Sequence, residues 1–287
     1  MSNFVIMVDT NSEIPFEFAK KNDLKVFKMP YTIDGQEFLY DLGENTDYEV
    51  FFNKLKNGSK AATSTRSPYD VEEFFKEQLE AGNDILYIGF SSELSAHLSI
   101  CIAAQEKLMP DYPDRKFIIV DTLKISAPLA MLIFEAVEMK DAGKSIEEIS
   151  VWIEDNKKRA YGWFVVDDLM HLKRGGRVSG AAAVMGTMLA VKPVLYISNE
   201  GKIVSEEKIK GKKNVIKYLK NKFDETKGDV SNTNVCILHA ADLESAESLK
   251  QKLEADYKLK KVWVQDIGPV IGSHTGPGVL AICYLGK

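Results

Sequence analysis

Cysteine is scarce in this chain of 287 residues: there are three, Cys101, Cys236 and Cys283, far apart and each within or beside an apolar run. No CxxC pair occurs, so neither a disulfide framework nor a thiolate zinc site is expected; buried free thiols of a reducing compartment are. No two of the four histidines have a metal-ligand spacing such as HxxxH, so no metal is expected either. Neither sign of charge dominates. Lys plus Arg is 37 against 42 Asp plus Glu, and the resulting −5 argues against nucleic-acid binding as the main role. Long apolar runs are missing as well: residues 181–191 are apolar but stop at Lys192, short of a membrane span. The opening MSNFVIMVDT has no basic leader and is interrupted by Asp9, so it reads as a first strand and not as a signal peptide. A cytoplasmic location is expected. GxSxG, GxxxxGK[ST] and helix-opening GxGxxG are absent, which removes the hydrolase elbow, the phosphate loop and the dinucleotide fingerprint. No cofactor is expected.

What is present in the first half is an alternation of strand and helix signals. Residues 4–8, 85–90 and 117–120 are short apolar runs of the kind that form buried strands. Between and after them lie four helices. One carries Tyr48, Phe51, Phe52 and Leu55, with Thr46 as its cap and Asn57-Gly58 as its end. One opens on Ser67 and Pro68, one presents Leu129, Leu132, Ile133 and Val137, and one starts at the capping box Ser145/Glu148. Such alternation predicts a mostly parallel sheet covered by helices on both faces. Three of its strands end in polar residues: Asp9-Thr10-Asn11-Ser12, then Ser91 to Ser95, then Asp121-Thr122. The carboxyl edge of such a sheet is where ligands bind.

The central stretch is YIGFSSELSAH, residues 87–97. An apolar strand passes through serines into a pattern of Leu94, Leu98 and Ile102, spaced by four as in a helix. Hydroxyls and unpartnered helix N–H groups at that edge suit an anion, although capping by Ser92 is the simpler role. Thr63 and Ser64 precede Ser67 in a loop and have no local structural task. His97, one turn into the helix, is expected at the surface or the cleft rim.

The composition changes near residue 160, which divides the chain into an α/β part at 1–160 and an α+β part at 161–287. The second part contains Lys173, Arg174 and Arg177 around Gly175-Gly176, a loop able to meet phosphate or carboxylate. A small-residue helix at 180–189 follows. A hairpin about Asn199-Glu200-Gly201, two amphipathic helices and three more strands complete it. His274 lies in IGPVIGSHTGPGV, where glycines and prolines predict a tight, shaped loop.

Taken in order, Thr63-Ser64, SSELS at 91–95, LMHLKRGGRVSGAAAVMGTMLAVKPVL and GPVIGSHTGPGVL resemble the DegV family, and the resemblance runs the whole length of the chain. It implies a long-chain fatty acid held between an N-terminal α/β and a C-terminal α+β domain. It also implies presentation of that acid to a separate ATP-dependent kinase, which forms an acyl-phosphate. The implied site places the carboxylate on Ser95, with Thr63 and Ser64 beside it and His274 completing the network. Arg174 and Arg177 would border the headgroup opening toward the kinase. The chain departs from the family pattern at Thr65-Arg66, at Ala96-His97 and at Ala127-Pro128 after Ser126, changes that bear on the pocket entrance. Ala181 to Ala183, Met185 and Met188 are candidate tunnel walls. The implied protein is a monomer that binds no nucleic acid, touches a membrane transiently to exchange its ligand, and is not an enzyme by itself. Two other readings use the same residues: a stand-alone serine hydrolase or acyltransferase built on Ser95 and His274, and a lipid-sensing regulator.

Overall fold

A computed structural model describes residues 4–177 and 191–287. The expected small-residue helix and tunnel-wall candidates at 180–189 lie outside the described residues. In chain order the first half runs β1 (Phe4–Asp9), α1 (Phe16–Lys21), β2 (Lys25–Phe27), β3 (Pro30–Ile33), β4 (Gln36–Leu39), α2 (Tyr48–Lys56), β5 (Ala61–Thr63) and α3 (Pro68–Glu80). It continues with β6 (Asp84–Gly89), α4 (His97–Leu108), β7 (Phe117–Asp121), α5 (Ala127–Asp141) and α6 (Ile146–Asn156). The second half comprises β8 (Ala160–Val165), α7 (Met170–Gly175), β9 (Val191–Ile197), β10 (Ile203–Lys210), α8 (Lys212–Thr226), β11 (Asn234–His239), α9 (Leu243–Asp256), β12 (Lys261–Asp266), α10 (Pro269–Thr275) and β13 (Leu280–Leu285).

The fold is mixed α/β. β2, β1, β6 and β7 form a parallel sheet in that order, so the polar ends of β1, β6 and β7 share one edge. β10-β9-β8-β13-β11-β12 form a second sheet, antiparallel except for its last pair. A small antiparallel sheet, β4-β3-β5, stands beside them. The period of two along the second sheet divides its faces between two cores. Phe164, Ala281 and Cys283 join the core of the first half, whereas Trp163, Val165, Leu280 and Ile282 pack under α8 and α9. α5 lies against β8 and β13 and also contacts α6. Its residues from Ala127 to Phe134 are all buried, as a helix enclosed on every side requires. Gly162 permits the contact, because a Cβ there would overlap the ring of Pro128. All three cysteines are free and buried. Among the described residues no helix is long and apolar enough to cross a membrane.

Several local expectations shift. Asp47, not Thr46, caps α2 by accepting from Val50 N–H, because the Thr46 hydroxyl is committed to Asp41 at 2.6 Å. Thr63 ends a short edge strand instead of lying in a loop. His274 lies on a helix, α10, and Lys173, Arg174 and Gly175 close another, α7, with Gly176 at a left-handed φ of 69° just beyond. Ser67 and the Ser145/Glu148 box cap their helices as the sequence indicates.

Candidate functional site

Thr63 and His274 are 211 positions apart in the chain, and Thr63 Oγ1 lies 2.8 Å from His274 Nε2. β5 holds the threonine by pairing Thr63 with Tyr31 of β3. α10 holds the histidine: Pro269 opens the helix, which packs against β5, β3, α2 and α7. The pair stands between two cavities. The inner one has about 100 Å³ of free space. Its wall is mostly apolar, from Met29, Phe90, Leu94, Ile125, Leu172, Ile203 and Val270, with Asn11, Ser64, Thr65 and Ser95 among its polar residues. The outer one is a cleft of about 650 Å³, lined by Lys60, His171 and Arg174 among others. Thr63, Arg177 and His274 line both. The structure therefore brings Thr63, Ser64, Ser95, Arg177 and His274 to one cavity and leaves Arg174 in the outer cleft, 3.2 Å from His171 Nδ1.

Ser95 occupies the turn before α4, where its Oγ accepts from His97 N–H at 3.2 Å. That contact leaves the hydroxyl proton to be donated. Arg177 ties this turn to α7: its Nε donates to Leu94 O at 3.2 Å, and its guanidinium also bonds Gly175 O. Burial, with the Arg177 guanidinium nearby, holds the His274 imidazole down to about 4, so it is neutral at physiological pH. Its Nδ1 is buried with no partner among the described residues. An orphaned acceptor is tolerated more readily than an orphaned N–H, which favours the tautomer with the proton on Nε2. Nε2–H then donates to Thr63 Oγ1 and frees the Thr63 hydroxyl proton for a ligand.

Beneath the cavity runs a buried polar chain. Tyr87 OH donates to Asp9 Oδ2 at 2.9 Å and lies 3.1 Å from His97 Nε2. The His97 ring stacks between Phe27 and Phe90. Burial raises Asp9 to about 7 and holds His97 down to about 4. His97 is thus interior and not at the rim. The cause is the late start of α4, since Ser91 and Ser92 are used elsewhere: Ser91 Oγ donates to Gly201 O at 2.9 Å and Ser92 Oγ to Asp121 at 2.6 Å. Ser92 caps no helix. A second buried link sets α10. Glu13 accepts from Gly268 N–H, the N-cap of α10, at 2.6 Å and from the Ser126 hydroxyl. Glu13 and Ser126 both take left-handed φ values, 51° and 61°, strained for residues with a Cβ and held by these contacts.

Comparison with known proteins identifies the family and the fold. A family model described as an uncharacterised protein of the DegV family matches residues 3–287. The chain belongs to the DegV family. A DegV domain-containing protein of Clostridium perfringens is 37% identical over 100% of this chain and 98% of its own. A Thermus thermophilus DegV family protein described for its fatty acid binding has a TM-score of 0.89 and 26% identity, covering 99% of this chain and 100% of that one. DegV of Bacillus subtilis, described as a fatty acid binding protein, has a TM-score of 0.86 and 27% identity, with 100% coverage of both chains.

Within this DegV chain, Asn11, which lines the inner cavity, and Glu13 and the Asp9–Tyr87 pair, which support it, were given no site role by sequence reasoning. Asn11 had a signal, because it sits in the polar ending of β1 at the ligand edge. Glu13 had none: its main-chain partner is 255 positions away.

Proposed function

We propose that this protein holds a long-chain fatty acid between its 1–160 and 161–287 parts and presents the carboxylate to a separate ATP-dependent kinase for acyl-phosphate formation. The observation that carries this reading is the meeting of an apolar cavity and a polar cleft at one hydroxyl–imidazole pair, Thr63 and His274. The hydrocarbon belongs in the inner cavity and the incoming phosphate in the outer cleft beside Arg174 and Arg177. The fatty acid binding described for the Bacillus subtilis and Thermus thermophilus relatives supports the ligand class.

A buried carboxylate is costly unless hydrogen-bonded. Here the Ser95 and Thr63 hydroxyls supply donors, Ser64 lies beside them, and Arg177 supplies charge. Burial of about fifteen methylenes at ~0.8 kcal/mol each contributes on the order of 10 kcal/mol before ordering costs. That outweighs the headgroup, which is left to set orientation. The inner cavity among the described residues has about 100 Å³ of free space, room for only part of such a chain. The protein does this as a cytoplasmic monomer that meets a bilayer transiently.

In the transfer, a carboxylate oxygen attacks the γ-phosphorus of ATP, the bond to the bridging oxygen breaks and ADP leaves. No proton moves from the acid, so a neutral His274 that orients Thr63 is sufficient. A hydrolase would need the histidine on the serine. Among the described residues His274 pairs with Thr63 and Ser95 with main-chain N–H, which favours the carrier. The test is acyl-phosphate formation by the purified protein with a kinase catalytic protein and ATP, trapped as hydroxamate. Ser95→Ala and His274→Ala are each expected to lower it about tenfold or more. Unchanged turnover in both removes the anchor from this reading.

A further inference from the structure

The outer cleft receives cations from both halves of the chain. Lys60, immediately before β5, comes from the first, and Arg174 and Arg177, at and just beyond the end of α7, come from the second. No Asp or Glu is among the described residues that line it. The three cations are not equivalent. Arg177 is committed to the main-chain oxygens of Leu94 and Gly175. Lys60 is held by its backbone: its N–H donates to Asp34 Oδ1 at 3.2 Å, and its carbonyl accepts from Asp34 N–H at 3.0 Å. The Asp34 carboxylate is taken up by that contact and by the Ser59 hydroxyl at 2.7 Å, and the exposed Lys60 ammonium has no ion pair among the described residues. Arg174 donates one N–H to His171 Nδ1, 3.2 Å away. A neutral imidazole can accept there, and burial, with the Arg174 charge beside the ring, favours that form. The His171 ring is itself seated, because a Cβ at Gly276, just past α10, would overlap it. α7 and α10 thus hold each other's histidines, His274 against Gly175 and His171 against Gly276.

We infer that Lys60 and Arg174 are the phosphate-contacting residues of this cleft, one from each half, and that His171 is the residue positioning Arg174. The group they fit is the phosphate of an acyl-phosphate whose chain lies in the inner cavity. Thr63 and His274, which line both spaces, mark where the two ends of that ligand join. The inference rests on the carrier reading above and assigns residues to its phosphate end. A doubly charged phosphate is best met by more than one cation; lysine supplies a point charge and arginine a planar fork. A carboxylate in the inner cavity leaves both unused. They therefore act on the acyl-phosphate and not on the acid, and the protein holds the phosphorylated form in preference.

The test displaces a fluorescent long-chain acid from delipidated protein with hexadecanoic acid and, separately, with 2-oxoheptadecylphosphonate, a stable analogue of hexadecanoyl phosphate. The phosphonate is expected to displace the probe from the wild type at roughly tenfold lower concentration than the acid. Lys60→Met and Arg174→Met are each expected to cut that ratio about fivefold. His171→Leu should cut it as Arg174→Met does, and His171→Asn, whose side-chain oxygen can accept from Arg174, should restore most of it. Equal or weaker displacement by the phosphonate from the wild type overturns the inference and leaves the carrier reading intact, and this arm involves no variant. A ratio kept by both Lys60→Met and Arg174→Met also overturns it, and failure of His171→Asn to restore what His171→Leu loses overturns the positioning role. Binding to phosphatidylglycerol vesicles that is lost in Lys60→Met while the phosphonate ratio is kept would assign the cations to a bilayer instead and overturn the inference. A wild type that binds neither the probe nor either compound overturns both readings.

Discussion

His274 can act as a neutral hydrogen-bonding group because burial disfavours its charge and Thr63 takes up its Nε2 position. The ring also depends on a glycine. A side chain at Gly175, the last residue of α7, would overlap His274 Nδ1. Gly175→Ala is therefore expected to displace the imidazole and to lower fatty acid retention about tenfold or more, with the circular dichroism spectrum unchanged. Retention equal to wild type would show that the ring has room to move without consequence. At this scale the residues that meet at the inner cavity were legible as candidates. Thr63 and Ser64 stood in a segment with no structural duty, and His274 stood among glycines. His97 misled, because its burial follows from where Ser91 and Ser92 send their hydroxyls, to Gly201 and Asp121, and neither contact is local.

α10 is the element that brings its histidine to β5, and its start is held from the other half of the chain by the Glu13 carboxyl. Burial raises Glu13 from 4.5 to about 7. Its contribution to stability is fully present below about pH 4.5, where folded and unfolded chains both hold the proton. It is lost as pH rises through 7, because only the unfolded chain ionises easily. The change corresponds to about 3 kcal/mol. Glu13→Gln removes this dependence, so its stability relative to wild type should improve by most of that amount between pH 5 and pH 8 in denaturant titrations. Asp9 has the same sign and is common to both proteins, so it cancels. A constant difference across that range would contradict the raised carboxyl. Element boundaries were legible where caps are local, as at Ser67 and Ser145. They were not legible at α4, which begins at His97 with no side-chain cap. α5 displayed one apolar face in sequence yet is buried nearly all round in its first half, because Ala127, Pro128, Ala130, Met131 and Phe134 occupy the positions that a single-face pattern leaves unassigned.

The whole molecule joins its two halves through one core, which takes Phe164, Leu195, Leu238 and Ala281 from the second sheet together with the first half's strands and helices. Strand–helix alternation revealed the parallel sheet, and the turn at 199–201 revealed the β9–β10 hairpin. The order β10-β9-β8-β13-β11-β12 was hidden, since β13 enters between β8 and β11 by pairings that no local pattern encodes. β5 was hidden for another reason: three residues are too few to display a period. The consequence for function is that cavity and cleft exist only when residues from both halves meet at Thr63 and His274. Native mass spectrometry of the purified protein, followed by denaturing mass measurement and lipid extraction, tests this most directly. A mass excess of one fatty acid that disappears on denaturation is the predicted result. An excess that survives denaturation would mean a covalent acyl-enzyme, and its absence after incubation with long-chain acids would mean that this protein does not carry them.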